Sequence, residues 1–299
     1  MKVLARALAL FAILVMSPAV SAQQRSDPDF VAKVETPHFE AGTGPVVAID
    51  QAHANFHTML GRYRAFTNLL TADGYRVEAN DKPFSAETLA GIDVLVIANA
   101  LHPSNSGNWR LPVLSAFTAD EISSVHAWVE NGGRLLLIAD HMPFPGAAAG
   151  MADTFGFGFK NGFAVNMDDS ETRFVFRPGE GLAPVPGEDG QPVGQVVTFT
   201  GQAFSIPQDA TSLLTLHGPY AVLLPREAWK FEADTPLEVA DGLSQGAILE
   251  VGDGRIAAFG EAAAFSAQIS SGGGPMGMNA PDAADNATFI LAVMHWLTR

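Results

Sequence analysis

Short apolar segments alternate with amphipathic segments along much of this 299-residue chain. The apolar segments are PVVAID (45–50), YRVEA (75–79), DVLVIAN (93–99) and RLLLIAD (134–140). Strands that are apolar throughout are typical of a sheet buried on both faces, and helices between such strands favour parallel pairing. The alternation therefore predicts an α/β fold: a flavodoxin-like, three-layer parallel sheet with helices on both faces.

The spacing of apolar residues predicts three helices, at 61–74, 118–133 and 285–297. In the second, Thr118 is followed three residues later by Glu121, which indicates a capping box, and Gly132 ends the helix. The segments GAILEV and RIAAFG flank Gly252-Asp253-Gly254, which is typical of a β-hairpin.

Residues 156–241 interrupt the alternation, because they are rich in Gly and Pro and contain short β-type segments without an amphipathic helix. We expect them to form a β-rich insertion in an α/β domain spanning 45–299. Residues 23–44 are polar and contain prolines, which favours a loosely packed leader.

The first 22 residues have the features of a secretory signal peptide: basic residues, ten apolar residues and a small-residue end, with cleavage expected after Ala22. The protein is therefore expected to be exported, either periplasmic or secreted. The apolar stretch is shorter than the roughly 20 residues of a spanning helix, and no later stretch approaches that length. No membrane span is predicted.

Without the signal peptide, 15 basic residues face 32 acidic residues, a formal charge of −17. Such a surface repels nucleic-acid phosphates and anionic lipid, so neither is expected as a partner. The chain has no cysteine, which excludes disulfides and thiol nucleophiles.

Polar residues concentrate where the predicted strands end. Ligands of open parallel sheets bind outside the carboxyl ends of the strands, because the loops there converge. The side chains expected at this crevice are Asp50, His53, Asn55, His57, Asn99, His102, Asp140, His141 and Glu261.

The histidines after the first strand suggest a metal. His53 and His57 are four residues apart, so on a helical turn they would share a face and, with Asp50, could bind a divalent metal such as Zn or Mn. Two loop histidines held by hydrogen bonds explain the same spacing.

The remaining strand-end residues suggest catalysis and ligand binding. Asp140 and His141 could act as base and orienting group, with Glu261 as a further catalytic residue. Alternatively, Asp140 caps a helix beginning near Ala147, and Glu261 caps the turn that follows it. Asn55, Asn99 and His102 are expected to bind ligand, although His102 lies in HPSNSGN and is equally typical of a turn.

Two motifs carry a family resemblance. One is W-V-x-x-G-G followed by R-L-L-L-I at 128–138, and the other is G-R-I-x-x-F-G-E at 254–261 leading to the D-N-A-x-F helix that ends in W-L. With the order of segments, they resemble the class I glutamine-amidotransferase-like fold. The resemblance is closest to an uncharacterised exported branch, similar to gliding-motility transporter auxiliary and trehalose-utilisation-like domains, and it leaves out the β-rich middle.

Glutaminases of that fold place a nucleophilic cysteine after the strand that corresponds to RLLLIAD. Here the turn is Asp140-His141-Met142-Pro143 and the chain has no cysteine, so thiolate attack on glutamine is excluded. The resemblance thus implies the scaffold and the crevice rather than the reaction.

Two functions remain open from the sequence. The first is an exported hydrolase-like enzyme that acts on a small molecule in the His/Asp-lined crevice, with or without a metal. The second is a non-catalytic binding or assembly module of the cell envelope. Its crevice would hold a small molecule such as a sugar or peptide, and its insertion would contact an envelope protein.

Overall fold

The computed structural model describes residues 24–169, 172–187, 193–270 and 272–299. The predicted signal peptide lies outside these ranges. Among the described residues, no helix is long and apolar enough to cross a membrane.

Within the described residues, strands occur throughout, three α-helices lie before residue 154, and a fourth lies at 286–298. The helices are α1 (Arg64–Ala72), α2 (Ala119–Glu130), α3 (Phe144–Asp153) and α4 (Asn286–Thr298). The strands are β1 (Arg25–Ser26), β2 (Val46–Asp50), β3 (Arg76–Asn80), β4 (Val94–Ala98), β5 (Arg134–Ile138), β6 (Gly158–Phe159), β7 (Phe163–Asn166), β8 (Arg173–Pro178), β9 (Gly181–Leu182), β10 (Val196–Phe199), β11 (Phe204–Ser205), β12 (Thr211–Thr215), β13 (Tyr220–Leu223), β14 (Leu237–Val239), β15 (Ser244–Val251), β16 (Gly254–Phe259), β17 (Ala267–Ile269) and β18 (Pro275–Gly277).

The main sheet is half parallel and half antiparallel. Strands β3, β2, β4, β5 and β16 lie side by side in that order, and each neighbouring pair is parallel. The hairpin from β15 to β16 then reverses the direction, and β12 pairs antiparallel with β15. The predicted mixture of helices and strands is confirmed, but the purely parallel sheet is wrong. The reason is that segments after residue 156 extend the same sheet.

Alternate residues of the parallel strands point to opposite sides of the sheet. In β4, Val94, Val96 and Ala98 belong to one apolar core, whereas Leu95 and Ile97 belong to the other. The first core includes apolar residues of α1 and α4, and the second those of α2 and α3. Both faces of these strands are therefore buried, which explains their uniformly apolar sequences.

The described part of 156–241 contains strands β6 to β14 and no helix. Strands β7, β13 and β14 form a separate antiparallel sheet, while β8, β9, β10 and β12 extend the main sheet. This segment therefore contributes both to the main sheet and to a smaller sheet of its own.

The segment before β2 is packed more closely than its polar composition suggested. Strand β1 pairs with β17, and the Ser26 hydroxyl donates to the Gly61 carbonyl at 2.6 Å. Phe30, Val34 and Phe39 pack against the apolar core. Backbone pairing and scattered apolar side chains thus hold parts of residues 24–44, which were expected to form a loosely packed leader.

Helix α2 ends as its sequence predicts. Gly132 adopts a left-handed conformation with a φ of +101°. Its N–H donates to the Val129 carbonyl, and the Gly133 N–H donates to the Trp128 carbonyl, which together form a Schellman motif. The predicted capping box of Thr118 and Glu121 is also present at the start of the helix. Local capping therefore sets both ends of α2.

Candidate functional site

A cavity of about 960 Å³ lies at the carboxyl ends of the parallel strands. Several of the residues predicted from the strand ends line it together: Asn55, His57, Asn99, Asp140 and His141. The first two follow β2, Asn99 follows β4, and the last two follow β5. Residues distant in sequence thus share one cavity because their strands are parallel neighbours.

His53 is held between two carboxylates beneath this cavity. Its Nδ1 lies 2.9 Å from Asp50 Oδ2, and its Nε2 lies 2.8 Å from Glu121 Oε1. Burial alone would lower the pKa of His53, but the hydrogen bonds and negative charges of Asp50 and Glu121 outweigh it, and the pKa is raised. His53 therefore joins the loop after β2 to helix α2, and the two carboxylates favour its protonated form.

Glu121 accepts hydrogen bonds at both carboxylate oxygens. Oε2 accepts from the backbone N–H and the hydroxyl of Thr118, and Oε1 also accepts from the Phe84 N–H at 3.2 Å. Burial would raise the pKa of Glu121, but the donors from Thr118, His53 and Phe84 lower it to about 2. This carboxylate remains ionised throughout the neutral range.

Asp50, His53 and His57, predicted as metal ligands, have ring nitrogens and carboxylate oxygens engaged in other hydrogen bonds. Both ring nitrogens of His53 are already hydrogen-bonded, and the Nδ1 of His57 lies 3.0 Å from Asn99 Nδ2. Within the described ranges, no group of three His, Cys, Asp or Glu side chains is arranged to hold a metal ion. Asp50, His53 and His57 thus correspond to the hydrogen-bonded alternative rather than to a ligand set.

Asn99 connects two of the strand-end residues. Its side-chain amide donates to His57 Nδ1 at 3.0 Å, and its oxygen accepts from the Asp140 N–H at 2.8 Å. The residue has a left-handed backbone with a φ of +49°, which Asn tolerates better than most residues. The turn after β4 therefore positions both His57 and Asp140.

His57 is a neutral donor in this arrangement. Because Nδ1 accepts from Asn99, the ring proton lies on Nε2, which is buried and has no hydrogen-bond partner among the described residues. Burial lowers the pKa of His57 well below its usual value, and the charges of Arg62 and His141 lower it further. His57 thus lines the cavity and has a buried N–H donor without a partner among the described residues.

Asp140 and Glu261 form a buried pair of acids. Burial raises the pKa of Asp140, although the charge of His141 and the backbone N–H groups of His141 and Ala262 oppose it. Burial raises the pKa of Glu261 well above its usual range, and the neighbouring charge of Asp140 raises it further. The pair therefore retains a proton at pH values where exposed carboxyl groups are ionised.

The structure decides differently on the capping roles that were the alternatives for Asp140 and Glu261. Helix α3 begins at Phe144 without a side-chain cap, and Asp140 Oδ1 accepts from the His141 N–H at 2.7 Å. Asp140 is therefore not the cap of that helix. Glu261 accepts from the Ala263 and Ala264 N–H groups at 2.6 and 2.7 Å, so it does cap the turn that follows it.

His141 lies among aromatic rings. It stacks on Phe163, with the ring centroids 4.6 Å apart, and lies edge-on to Trp229. Its Nδ1 donates to the Met142 carbonyl at 2.8 Å. This leaves Nε2 as the ring atom able to accept a proton.

His102 does not line the cavity. It lies at the start of the short 3₁₀ turn Pro103–Asn105, where its Nδ1 accepts from the Ser104 N–H at 3.2 Å. The predicted ligand-binding role of His102 therefore lacks a position at this cavity, and its contacts are those of a turn residue.

The lining residues that the sequence does not indicate include Arg62, Trp109, Trp229 and Gln268. Trp109 follows HPSNSGN, the loop after β4. It would have been found if the search for cavity residues had extended a few residues further beyond the end of that strand. Arg62 precedes α1, Trp229 comes from the β-rich segment, and Gln268 lies in β17. Their positions relative to the ends of the predicted parallel strands do not indicate that these three residues line the cavity.

Comparisons with known proteins show the fold alone. The N-terminal domain of mmIFT52 is similar with a TM-score of 0.58 at 13% identity, over 85% of this chain and 97% of that one. No family model matches the chain, and no curated protein matches its sequence.

Two further solved structures are less similar. A putative ThuA-like protein from Bacteroides uniformis has a TM-score of 0.45 at 12% identity, over 89% of this chain and 93% of that one. A cytoplasmic protein from Salmonella typhimurium LT2, STM1381, has a TM-score of 0.49 at 12% identity, over 85% and 99%. The trehalose-utilisation-like likeness, the glutamine-amidotransferase-like fold and the exported branch all stay predictions.

We expect Glu121→Gln to lower the free energy of unfolding at pH 7 by about 1–2 kcal/mol, because the capping box and the bond to His53 are weakened. The pKa of Glu121 is about 2 in the folded protein against an ordinary 4.5, so its contribution is complete above pH 4.5. It is lost as the pH falls towards 2. The measurement is urea unfolding of both proteins across this range.

The matched control is Asp120→Asn, since Asp120 lies in the same helical turn and is exposed. Its effect should stay within about 0.5 kcal/mol at every pH. A gap between wild type and Glu121→Gln that did not shrink in acid would contradict this account.

We expect Asn99→Asp to move the His57 proton to Nδ1, because a carboxylate at this position accepts from the ring instead of donating to it. The added negative charge should also raise the pKa of His57. Long-range ¹H–¹⁵N correlation spectra of the imidazole rings would show both changes. The assignment would be refuted if the His57 ring of wild type were protonated on Nδ1 or titrated like an exposed histidine. The control is Asn108→Asp, which adds the same charge at an exposed position.

Proposed function

We propose that this protein is an exported protein of the glutamine-amidotransferase-like fold, with flavodoxin-like layering, that binds a small polar ligand in the strand-end cavity. One observation carries the proposal: His57, Asn99, Asp140 and His141, which come from three strand ends, line a single cavity of about 960 Å³. That volume is in the range of small-molecule sites.

The cavity wall combines flat aromatic surfaces with a few oriented polar groups. Trp109 packs edge-on against Phe56 and Phe144, with centroids 5.3 Å apart in each case. Trp229 also lines the cavity, lies edge-on to His141 with the ring centroids 4.7 Å apart, and is 52% exposed. Aromatic faces next to hydrogen-bonding groups suit a ligand with both C–H and hydroxyl or amide surfaces, such as a sugar or a short peptide.

A glutaminase function is not part of the proposal. The turn after β5 has Asp140 and His141, and the chain contains no cysteine to form a thioester. The cavity thus retains the position of the reaction centre in glutaminases of that fold without their nucleophile.

Hydrolysis is the second candidate, because His141 and Asp140 provide complementary proton transfers. His141 Nε2 can take a proton from water while the hydroxide adds to an electrophilic carbon of the ligand. Asp140, whose pKa is raised by burial, can give its proton to the leaving group. The two residues are adjacent, and both line the cavity.

A non-catalytic envelope module is the third candidate. Strand β14 is exposed along its length, and Leu237 and Val239 are 37% and 70% exposed. This edge of the β-rich segment could pair with another protein. In that case the cavity would hold its ligand without turnover.

We expect Trp109→Ala to weaken ligand binding at least tenfold with little loss of stability, because Trp109 is only partly buried in the wall. Saturation-transfer NMR with a set of monosaccharides, disaccharides and dipeptides measures the binding. The control is Leu114→Ala, at an exposed position of the same loop. Binding that is indifferent to Trp109 would place the ligand elsewhere, and no binding at all would refute the function.

If the protein is a hydrolase, His141→Gln should reduce turnover by about 10²-fold or more while binding changes only a few fold. A panel of nitrophenyl esters and glycosides gives the rates, and the NMR assay above gives the binding. His126→Gln is the control, since His126 lies on helix α2 away from the cavity. A panel with no turnover by wild type would favour the binding module.

A further inference from the structure

We infer that the ligand of this cavity is a small hydroxylated anion, whose carboxylate or phosphate group pairs with Arg62. The inference rests on the proposed binding function and specifies the class of ligand. It is based on Arg62, His57 and Gln268, which line the same cavity and each have a buried polar atom without a partner.

Arg62 is held in place without a carboxylate. Its guanidinium lies over the Phe56 ring, 3.7 Å from the centroid, and its Nη atoms donate to the carbonyls of Phe56 and Gln24. Nε has no partner, and no Asp or Glu among the described residues lies within 4.0 Å of the side chain. A positioned, unpaired guanidinium matches the geometry of a carboxylate or phosphate.

The absence of an acidic partner is informative in this protein. The chain has 32 acidic and 17 basic residues, so an acidic residue beside Arg62 would be easy to supply. Burial without a partner instead lowers the pKa of Arg62. An anionic ligand would remove this cost, because it would supply the missing charge.

His57 and Gln268 add one donor and one acceptor. The Nε2–H of His57 is unpaired because Asn99 occupies the other ring nitrogen. The amide of Gln268 donates to the Ser266 hydroxyl at 2.7 Å, which leaves its buried oxygen unpaired. An anion satisfies the His57 donor, whereas the Gln268 acceptor needs a hydroxyl or N–H group on the ligand.

The acidic groups of the cavity do not cancel the charge of Arg62. Glu227 lines the cavity but lies 2.8 Å from Lys230, which neutralises it. Asp140 is buried, and burial raises the pKa of its carboxyl group. Among the described lining residues, Arg62 is thus a cation without a carboxylate partner, and the aromatic rings of Trp109 and Trp229 provide surface for the carbon frame of the ligand.

The test compares D-glucuronate and glucose 6-phosphate with D-glucose by titration calorimetry at constant ionic strength. The three probes share a hydroxylated ring and differ in charge. Wild type should bind at least one of the two anions at least tenfold more tightly than glucose. If only glucuronate binds, the ligand is a carboxylate; if only the phosphate ester binds, it is a phosphate.

Arg62→Gln should abolish the preference for the anions, and Arg62→Lys should retain part of it, because lysine keeps the charge without the planar fork. Arg64→Gln, at an exposed position two residues away, is the matched control and should bind as wild type does. Thermal unfolding of each variant establishes that it is folded; if Arg62→Gln is not, Arg62→Lys must bind the anion more weakly than wild type.

Suppose that wild type binds glucose and both anions equally and that this binding is lost in Trp109→Ala. That result would overturn the inference about an anionic ligand while supporting the proposed binding function. Anion binding that is unchanged in Arg62→Gln would overturn it in the same way. If wild type binds none of the three probes, the inference fails, and the binding screen with Trp109→Ala then decides the proposed function separately.

Discussion

The cavity depends on one buried carboxylate, Glu121. Its oxygens accept from Thr118, from the Phe84 N–H and from His53, so it joins the start of α2 to the loops that follow β3 and β2. A buried carboxylate deprived of these donors would be costly, and the three segments must therefore stay together. Because the loop after β2 also carries His57, a helix cap on one face of the sheet fixes a residue of the cavity wall.

A second link runs across the strand ends. Asn99 bonds to both His57 and the Asp140 backbone, so the loops after β2, β4 and β5 are positioned relative to each other without a metal ligand set among the described residues. The left-handed turn at Asn99 makes this possible, since it places a short amide between two neighbouring strands. The polar residues at the strand ends thus serve two purposes. Asp50 and His53, together with Glu121 of α2, hold the loops, whereas Asn55, His57, Asn99, Asp140 and His141 line the cavity.

Much of this structure could be predicted because its signals are local. Apolar segments and the spacing of Thr118 and Glu121 determine strands and a helix cap whatever their partners are. The β15–β16 hairpin could be predicted from Gly252-Asp253-Gly254, but the rest of the antiparallel half could not, since its pairing depends on residues far away in the chain. Asp50 and His53 were interpreted as metal ligands because an imidazole beside a carboxylate has the same spacing in a metal site and in a hydrogen-bonded pair. Trp229 reaches the cavity from a distant segment, which strand-end reasoning cannot see.

The net charge of the protein and the local charge of Arg62 act on an anionic ligand in opposite ways. A formal charge of −15 repels anions, but at physiological ionic strength this repulsion is screened beyond about 8 Å. Arg62 is partly buried and has no carboxylate partner in the part of the chain that the structure describes, so its attraction for an anion is stronger than at an exposed site. Added salt should weaken the repulsion between the acidic surface and an anionic ligand more than it weakens the attraction between Arg62 and that ligand. An acidic surface is therefore compatible with an anionic ligand, and it would reject larger polyanions that cannot enter the cavity.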